Sequence, residues 1–165
     1  MPSTRSLAAG VALAIAAAGG WLIVSPGTAQ AGGQLTFFIH DTKQAIVDAK
    51  PKGTSQGDLF AYHGLVYDRE GGEKIGRYGG ACVQLDAAGG TPSDSSCSVD
   101  YVLPGGQLHT ETFGANDFLF SGKPFPFSVI GGTGTYRTAR GEGTIRIPPD
   151  VKDQTDGFVK IRLRG

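Results

Sequence analysis

An aspartate at the end of the first apolar run is a candidate proton donor. Residues 35–40 read Leu-Thr-Phe-Phe-Ile-His, and Asp41 follows them directly. A carboxyl group at the end of such a strand, facing an apolar pocket, has a raised pKa because burial disfavours its charged form. It can then protonate a quinone-type or epoxide oxygen. The alternative is a solvated carboxylate that caps the end of the strand.

An arginine late in the chain is the second candidate. Arg140 offers a fork of donors that could hold an anionic or carbonyl oxygen. It follows a glycine-rich corner at residues 131–134, which can reverse the chain sharply and hold nearby side chains on a rigid platform. The alternative is a structural ion pair with Asp58 or Glu142.

Several aromatic side chains could line a ligand pocket near these two groups. Most aromatic residues in a domain of this size belong to the core, which is the alternative for each of them. The candidate ligand-binding residues are Phe60, Tyr62, Tyr67, Phe127 and Tyr136, with Asp58 as a polar contact.

A metal site is the third chemistry that the residue types allow. His109 and Glu111 lie two residues apart, so on a strand they face the same side. With His40 or His63 they would supply ligands that a transition metal takes. No His-x-His pair is present, and we therefore predict neither a metal site nor a cofactor.

The glycine-rich corner does not match a phosphate-binding loop. A dinucleotide fingerprint built on Gly132 and Gly134 needs glycine where the chain has Arg137, and no Gly-Lys-Ser/Thr follows. The 15 basic and 15 acidic residues leave a formal net charge of zero. Binding to nucleic acid or to anionic membranes usually needs a clustered basic excess, so we predict neither partner.

The first 31 residues have the composition of a secretory signal. Arg5 is their only charge, residues 7–24 are apolar, and Ala29-Gln30-Ala31 provides a cleavage signal. We therefore expect a signal peptide at 1–31, cleavage near Ala31 and a secreted domain at 32–165. An uncleaved membrane anchor is the alternative.

Both cysteines of the chain lie in the part expected to be exported. Cys82 and Cys97 would therefore meet an oxidising compartment. We predict that they form a disulfide with each other.

Eight short runs have the composition or alternation of β-strands, and no segment after the signal predicts a helix. Turn residues such as Pro104-Gly105-Gly106 separate several of them. Such a pattern indicates an all-β sandwich or a closed barrel, and closure is favoured because it removes exposed edges. The predicted strands are 35–40, 57–68, 75–85, 97–103, 107–113, 125–130, 140–147 and 158–163, and we leave 41–56 and 114–123 as loops.

Four pieces of the chain, in this order, give it a family resemblance: 37–41, 57–68, 75–82 and 131–141. The last piece holds Gly131-Gly-Thr-Gly134 and Ala139-Arg-Gly141. Together they resemble the dirigent proteins and the related allene-oxide-cyclase-like barrels. The resemblance implies an eight-stranded antiparallel β-barrel with an apolar pocket, commonly assembled as a homotrimer. Dirigent proteins guide the coupling or cyclisation of phenoxy-type intermediates, and the cyclases close an unstable epoxide into a ring.

The resemblance also assigns roles to individual residues. The dirigent pattern places its strand-one aspartate on Asp41 and its arginine on Arg140. Some plant members have an acidic residue where this chain has Thr135. The cyclase pattern places its pocket cysteine on Cys82.

We therefore predict a secreted barrel that binds a small hydrophobic or phenolic molecule and steers its cyclisation or coupling without a cofactor. In this hypothesis Asp41 is the acid and Arg140 the positioning group. One alternative is a barrel that only binds a ligand or has a structural role, and another is a metal-dependent barrel enzyme. Convergence of Asp41 and Arg140 on one cavity would favour chemistry, whereas a filled interior would favour a structural role.

Overall fold

The computed structural model describes residues 33–86, 94–149 and 156–164. The predicted signal peptide at 1–31 lies outside the described residues, and so does the centre of the loop that follows residue 86. Within the described part of the chain, no helix is long and apolar enough to cross a membrane.

Eight strands make up most of the described chain, and each of them pairs with the next. A one-turn helix lies between the fifth and sixth strands, and a short 3-10 turn between the sixth and seventh. The strands are β1 (Gln34–Val47), β2 (Leu59–Tyr67), β3 (Lys74–Gln84), β4 (Asp94–Leu103), β5 (Gly106–Ala115), β6 (Phe125–Gly132), β7 (Arg140–Arg146) and β8 (Asp156–Arg164); the helix is α1 (Asn116–Leu119) and the 3-10 turn spans Gly134–Tyr136.

The sheet closes on itself because β8 pairs with β1, and all eight pairings are antiparallel. Alternation along β8 shows why the chain folds this way. Val159, Ile161 and Leu163 are buried inside, while Lys160 and Arg162 between them are exposed. The predicted eight-stranded antiparallel β-barrel is confirmed.

Two of the predicted loops contain regular structure. The loop predicted to begin at Asp41 is wrong up to Val47, because β1 continues to that residue and pairs with β2. Cross-strand hydrogen bonds hold a segment whose own sequence lacks a strand pattern. The loop predicted at 114–123 contains α1, whose four residues are too few to give a helical period.

A β-bulge in β1 explains the missing pattern. The register between β1 and β2 shifts between Asp41 and Lys43. An extra residue reverses the side to which later side chains point. Phe37 and Ile39 belong to the core before the bulge, whereas Gln44 and Ile46 line the interior beyond it.

One end of the barrel is filled by its own side chains. Tyr136, in the 3-10 turn, is 2% exposed, belongs to the buried core, and donates its hydroxyl hydrogen bond to the carbonyl of Pro104 at 3.2 Å. Gly134 starts that turn with φ of +59°, and a Cβ there would lie 2.1 Å from the carbonyl oxygen of Gly105. Only glycine fits at this position, so the glycine-rich corner closes the barrel.

The disulfide predicted from the sequence is present. Cys82 on β3 lies directly opposite Cys97 on β4, and their sulfur atoms are bonded. The bridge closes a chain segment with a sequence separation of 15 residues. It therefore links β3 and β4 covalently across their paired register.

Replacing both cysteines tests the contribution of this bridge to stability. We expect Cys82→Ala/Cys97→Ala to lower the free energy of unfolding by about 3 kcal/mol, because the unfolded chain regains the entropy of an open loop. Urea denaturation of the variant and the wild type measures the difference. Thiol titration of the denatured, non-reduced wild type should find no free thiol, and two thiols per chain would contradict the bridge.

Candidate functional site

The other end of the barrel holds a cavity of about 490 Å³. Its walls are mainly aromatic and aliphatic, which is typical of a site for a small organic ligand. The lining residues are Ile39, Asp41, Gln44, Ile46, Asp58, Leu59, Phe60, Tyr62, Tyr78, Cys82, Gln84, Ser95, Cys97, Val99, Tyr101, Thr110, Glu111, Thr112, Leu119, Phe120, Phe125, Phe127, Ile145 and Ile147.

Asp41 lies at the bulge of β1, where the core gives way to the cavity. The bulge brings Gln44 to the same inner side, and the Nε2 amide of Gln44 donates a hydrogen bond to Oδ2 of Asp41 at 2.9 Å. The hydroxyl of Tyr78 donates to Oδ1 of the same carboxyl group. Both oxygens of Asp41 are therefore held by neighbours while the group still borders the cavity.

The environment of Asp41 favours its neutral form. Burial raises the pKa of Asp41, and the nearby charge of Asp156 adds to the effect. Hydrogen bonds from Tyr78 and Gln44, and the proximity of His40, act in the opposite direction and only partly offset the burial. Asp41 therefore keeps its proton to a higher pH than an ordinary aspartate, as a proton donor requires.

A glycine makes the contact between Tyr78 and Asp41 sterically feasible. Gly64 on β2 is paired with Asp41 on one side and with Tyr78 on the other. A Cβ at this position would lie 2.5 Å from Cε1 of Tyr78 and 2.9 Å from Cα of Asp41. The absence of a side chain at Gly64 lets the Tyr78 ring lie beside the carboxyl group.

Three tyrosines surround the inner part of the cavity. The rings of Tyr78 and Tyr101 stack with centroids 6.0 Å apart, and Tyr62 lies 6.2 Å from Tyr78 on its other side. Burial raises the pKa of all three phenols, and the Asp41 carboxyl raises those of Tyr62 and Tyr78 further. The three hydroxyls are therefore neutral hydrogen-bond donors throughout the physiological pH range.

Some of the residues selected from the sequence line the cavity. Asp41, Phe60, Tyr62 and Phe127 are in its wall, with both cysteines of the disulfide. The bridge is therefore part of the cavity surface as well as a link between β3 and β4.

Three other selected residues are not among the cavity residues: Tyr67, Tyr136 and Arg140. Tyr136 fills the closed end, and Arg140 begins β7 near that end, exposed, with its Nη1 bonded to the carbonyl of Ala139 at 2.7 Å. The structure does not bring Arg140 together with Asp41. The sequence pattern could not show this, because it contains no information about which end of a strand meets the cavity.

Asp58 borders the cavity, but its carboxylate is used by a loop. The backbone amides of Ala49 and Ser55 each donate to it at 2.8 Å, and the hydroxyl of Ser55 donates at 2.9 Å. These hydrogen bonds lower the pKa of Asp58 and keep it ionised. Asp58 therefore anchors the loop between β1 and β2 rather than offering free acceptors to a ligand.

Sequence reasoning missed Gln44, Tyr78 and Tyr101. A signal for the two tyrosines was present, because Tyr78 lies four residues before Cys82 and Tyr101 four residues after Cys97. Residues four apart on a strand share a face, so the predicted disulfide also marks both tyrosines as inward-facing. No comparable signal exists for Gln44, since its orientation depends on the bulge.

Two of the three histidines contact carboxylates, and the third, His63, contacts the hydroxyl of Thr42. Nδ1 of His40 is 2.6 Å from Oδ1 of Asp156, and His109 contacts Asp100. Over the described ranges, no group of three or more His, Cys, Asp or Glu side chains could hold a metal ion. His109 and Glu111 are therefore not joined by a third ligand there.

The barrel matches a known family over most of its length. Residues 39–161 match the family described as the allene oxide cyclase barrel like domain. No curated protein sequence matches the chain.

Solved structures share the fold at low sequence identity. A pyocyanin demethylase matches with a TM-score of 0.65 and 21% identity over 79% of this chain and 99% of its own. A Diels–Alderase from Streptomyces koyangensis matches with a TM-score of 0.64 and 19% identity over 79% of this chain and 63% of its own. A pterocarpan synthase dirigent protein matches with a TM-score of 0.60 and 18% identity over 81% of this chain and 86% of its own. At these identities the likeness shows the fold.

The raised pKa of Asp41 predicts how stability depends on pH. Between the ordinary value of 3.8 and the raised value, the folded protein holds a proton that the unfolded chain has released. The free energy of unfolding therefore falls as pH rises through that window. Asp41→Asn keeps an oxygen acceptor for Tyr78 but cannot ionise, so its stability relative to the wild type should increase with pH and then level off.

Urea denaturation of both proteins at a series of pH values from 4 upwards measures this difference. Glu70→Gln, in the exposed turn between β2 and β3, is the matched control and should not reproduce it. A stability difference between Asp41→Asn and wild type that is independent of pH would show that Asp41 has no raised pKa.

Proposed function

Because the chain belongs to the family of allene oxide cyclase barrel-like domains, we propose that its cavity binds a small hydrophobic or aromatic molecule and steers its cyclisation or coupling. The observation that carries this proposal is a carboxyl group with a raised pKa in the wall of a mainly apolar cavity. A barrel with a purely structural role has no need of such a group, because it costs stability.

Asp41 is the proton donor in the proposed reaction. Its neutral carboxyl group donates a proton to an oxygen atom of the ligand as the new bond forms. The carboxylate left behind accepts hydrogen bonds from Tyr78 and Gln44, which are already in place. Asp41 then recovers a proton from the product or from solvent before the next turnover.

The cavity walls supply the rest of the catalysis by confinement. Rings such as Phe60, Phe125 and Phe127 border the cavity and limit the conformations that a flexible ligand can adopt. Holding the two reacting ends of one molecule together removes much of the entropic cost of ring closure. Acid and confinement together account for the step, so the proposed reaction requires no cofactor.

The names of two structurally similar proteins support a cyclisation or coupling reaction. A Diels–Alderase and a pterocarpan synthase dirigent protein are both similar in structure to this chain. The proposed role differs from the sequence-based hypothesis in one respect. The partners of Asp41 are Tyr78 and Gln44 instead of Arg140, because these two residues contact the carboxyl group directly.

A ligand-binding barrel without turnover is the alternative. The same cavity and the same tyrosines would serve it, and only the proton donor would have no purpose. Measurement of product formation separates the two functions, since a binding protein returns its ligand unchanged.

We expect Asp41→Asn to reduce product formation by at least about 100-fold, because proton transfer by a positioned acid typically contributes that much or more. Small molecules that co-purify with the protein, identified by mass spectrometry, provide the substrate. The wild-type rate should also fall as pH rises through the raised pKa of Asp41, since the acid form is then lost.

Glu70→Gln is the matched control for this experiment, because it makes the same carboxyl-to-amide change in an exposed turn. Unchanged product formation by a folded Asp41→Asn protein would remove the acid role. Ligand recovered unchanged from the wild type would favour the binding function.

We also propose that the chain is exported and its first 31 residues removed. The disulfide supports an oxidising compartment. We expect the protein recovered from culture medium to begin at Gly32, and intact-mass measurement checks this. Recovery of the full-length chain in the membrane fraction would instead show a retained anchor. The homotrimer stays a prediction from the family resemblance.

A further inference from the structure

The hydroxyl of Tyr101 is a hydrogen-bond donor that the protein itself does not use. Tyr101 is 2% exposed and lies in the cavity wall. No residue within the described ranges accepts a hydrogen bond from it. Within those ranges, every side-chain nitrogen or oxygen atom that is fully enclosed has a hydrogen-bond partner. The Tyr101 oxygen has none, so it is not fully enclosed and opens onto the cavity.

The neighbouring tyrosines differ from Tyr101 in this respect. The hydroxyl of Tyr78 is committed to Asp41. The hydroxyl of Tyr62 lies 4.0 Å from Sγ of Cys82, which is a weak acceptor. A hydroxyl that opens onto a cavity can bond water until a ligand enters, and a ligand without an acceptor atom there would leave the hydroxyl unpaired. The inner end of the cavity therefore favours a ligand with an acceptor atom.

The charged groups of the cavity wall are all acidic. Asp41, Asp58 and Glu111 line it, and none of its described residues is a lysine, arginine or histidine. An anionic ligand would leave water without gaining a cationic partner and would meet the ionised carboxylate of Asp58. A cationic ligand would lose less free energy on leaving water, because carboxyl groups and aromatic faces both attract it.

We propose that the ligand is a neutral or cationic ring compound whose carbonyl oxygen or ring nitrogen accepts a hydrogen bond from Tyr101, and that anionic compounds are rejected. This inference rests on the proposed function for the assumption that the cavity is the ligand site. It names Tyr101 as the residue that positions the ligand acceptor, and it excludes carboxylates and phosphates from the substrate class.

Four naphthalene compounds of similar shape test both parts of the proposal at pH 7. They are 2-acetylnaphthalene, which has a neutral acceptor; 2-isopropenylnaphthalene, which lacks it; 2-naphthoate, an anion; and 2-naphthylmethylammonium, a cation. Isothermal titration gives the dissociation constant of each compound for the wild type and for Tyr101→Phe. Tyr67→Phe is the matched control, because Tyr67 is not among the cavity residues.

We expect the affinity ratio of 2-acetylnaphthalene to 2-isopropenylnaphthalene to fall about three- to tenfold in Tyr101→Phe, the range for one neutral hydrogen bond. Tyr67→Phe should leave the ratio unchanged. In the wild type, 2-naphthoate should bind roughly tenfold or more weakly than 2-naphthylmethylammonium, because the ionised carboxylate of Asp58 borders the cavity.

An unchanged affinity ratio in Tyr101→Phe, or an anion that binds as tightly as the cation, would overturn this inference while leaving a functional ligand cavity. If none of the four compounds binds the wild type at millimolar concentration, the inference and the proposed function both fail. The comparison of the four compounds in the wild type does not depend on the folding of any variant.

Discussion

The contact between Tyr78 and Asp41 is the interaction on which the cavity depends. It lies where the filled half of the barrel meets the open half, so it forms part of the boundary between core and site. Three local features must coincide to make it: a bulge in β1, an inward tyrosine on β3, and a glycine between them on β2. A side chain at Gly64 would collide with both partners. The contact with the Asp41 carboxyl group therefore constrains the backbones of β1, β2 and β3 together.

The barrel uses its two ends for opposite purposes. At one end the glycine-rich corner lets Tyr136 enter and fill the interior, and a dense core results. At the other end the inward residues stop short of filling the space, and the disulfide ties two of the strands in the cavity wall. Dense packing at the filled end can therefore offset the loss of stability caused by the open cavity and the partly buried Asp41.

The chemistry of the site depends both on the acidic and phenolic groups in the cavity wall and on the lack of basic side chains among its described residues. Its described wall has acidic groups and neutral phenols but no basic side chain. Burial keeps Tyr62, Tyr78 and Tyr101 protonated and moves Asp41 towards its neutral form, so these four groups offer protons to a ligand. Such a surface suits neutral reactants that need one proton at one place.

The sequence by itself indicated eight strands in a sandwich or closed barrel, with Asp41 at the end of the first strand, because these depend on local alternation and turn residues. The family resemblance implied the antiparallel barrel, and the expected export predicted the disulfide. Only the tertiary structure decided which residues share the cavity. Arg140 and Asp41 occur in one sequence pattern but lie in different parts of the barrel, whereas Tyr78 and Gln44 carry no motif and contact the acid. The physical reason is that strand register and the bulge set the direction of each side chain, and both arise from pairing between strands distant in sequence.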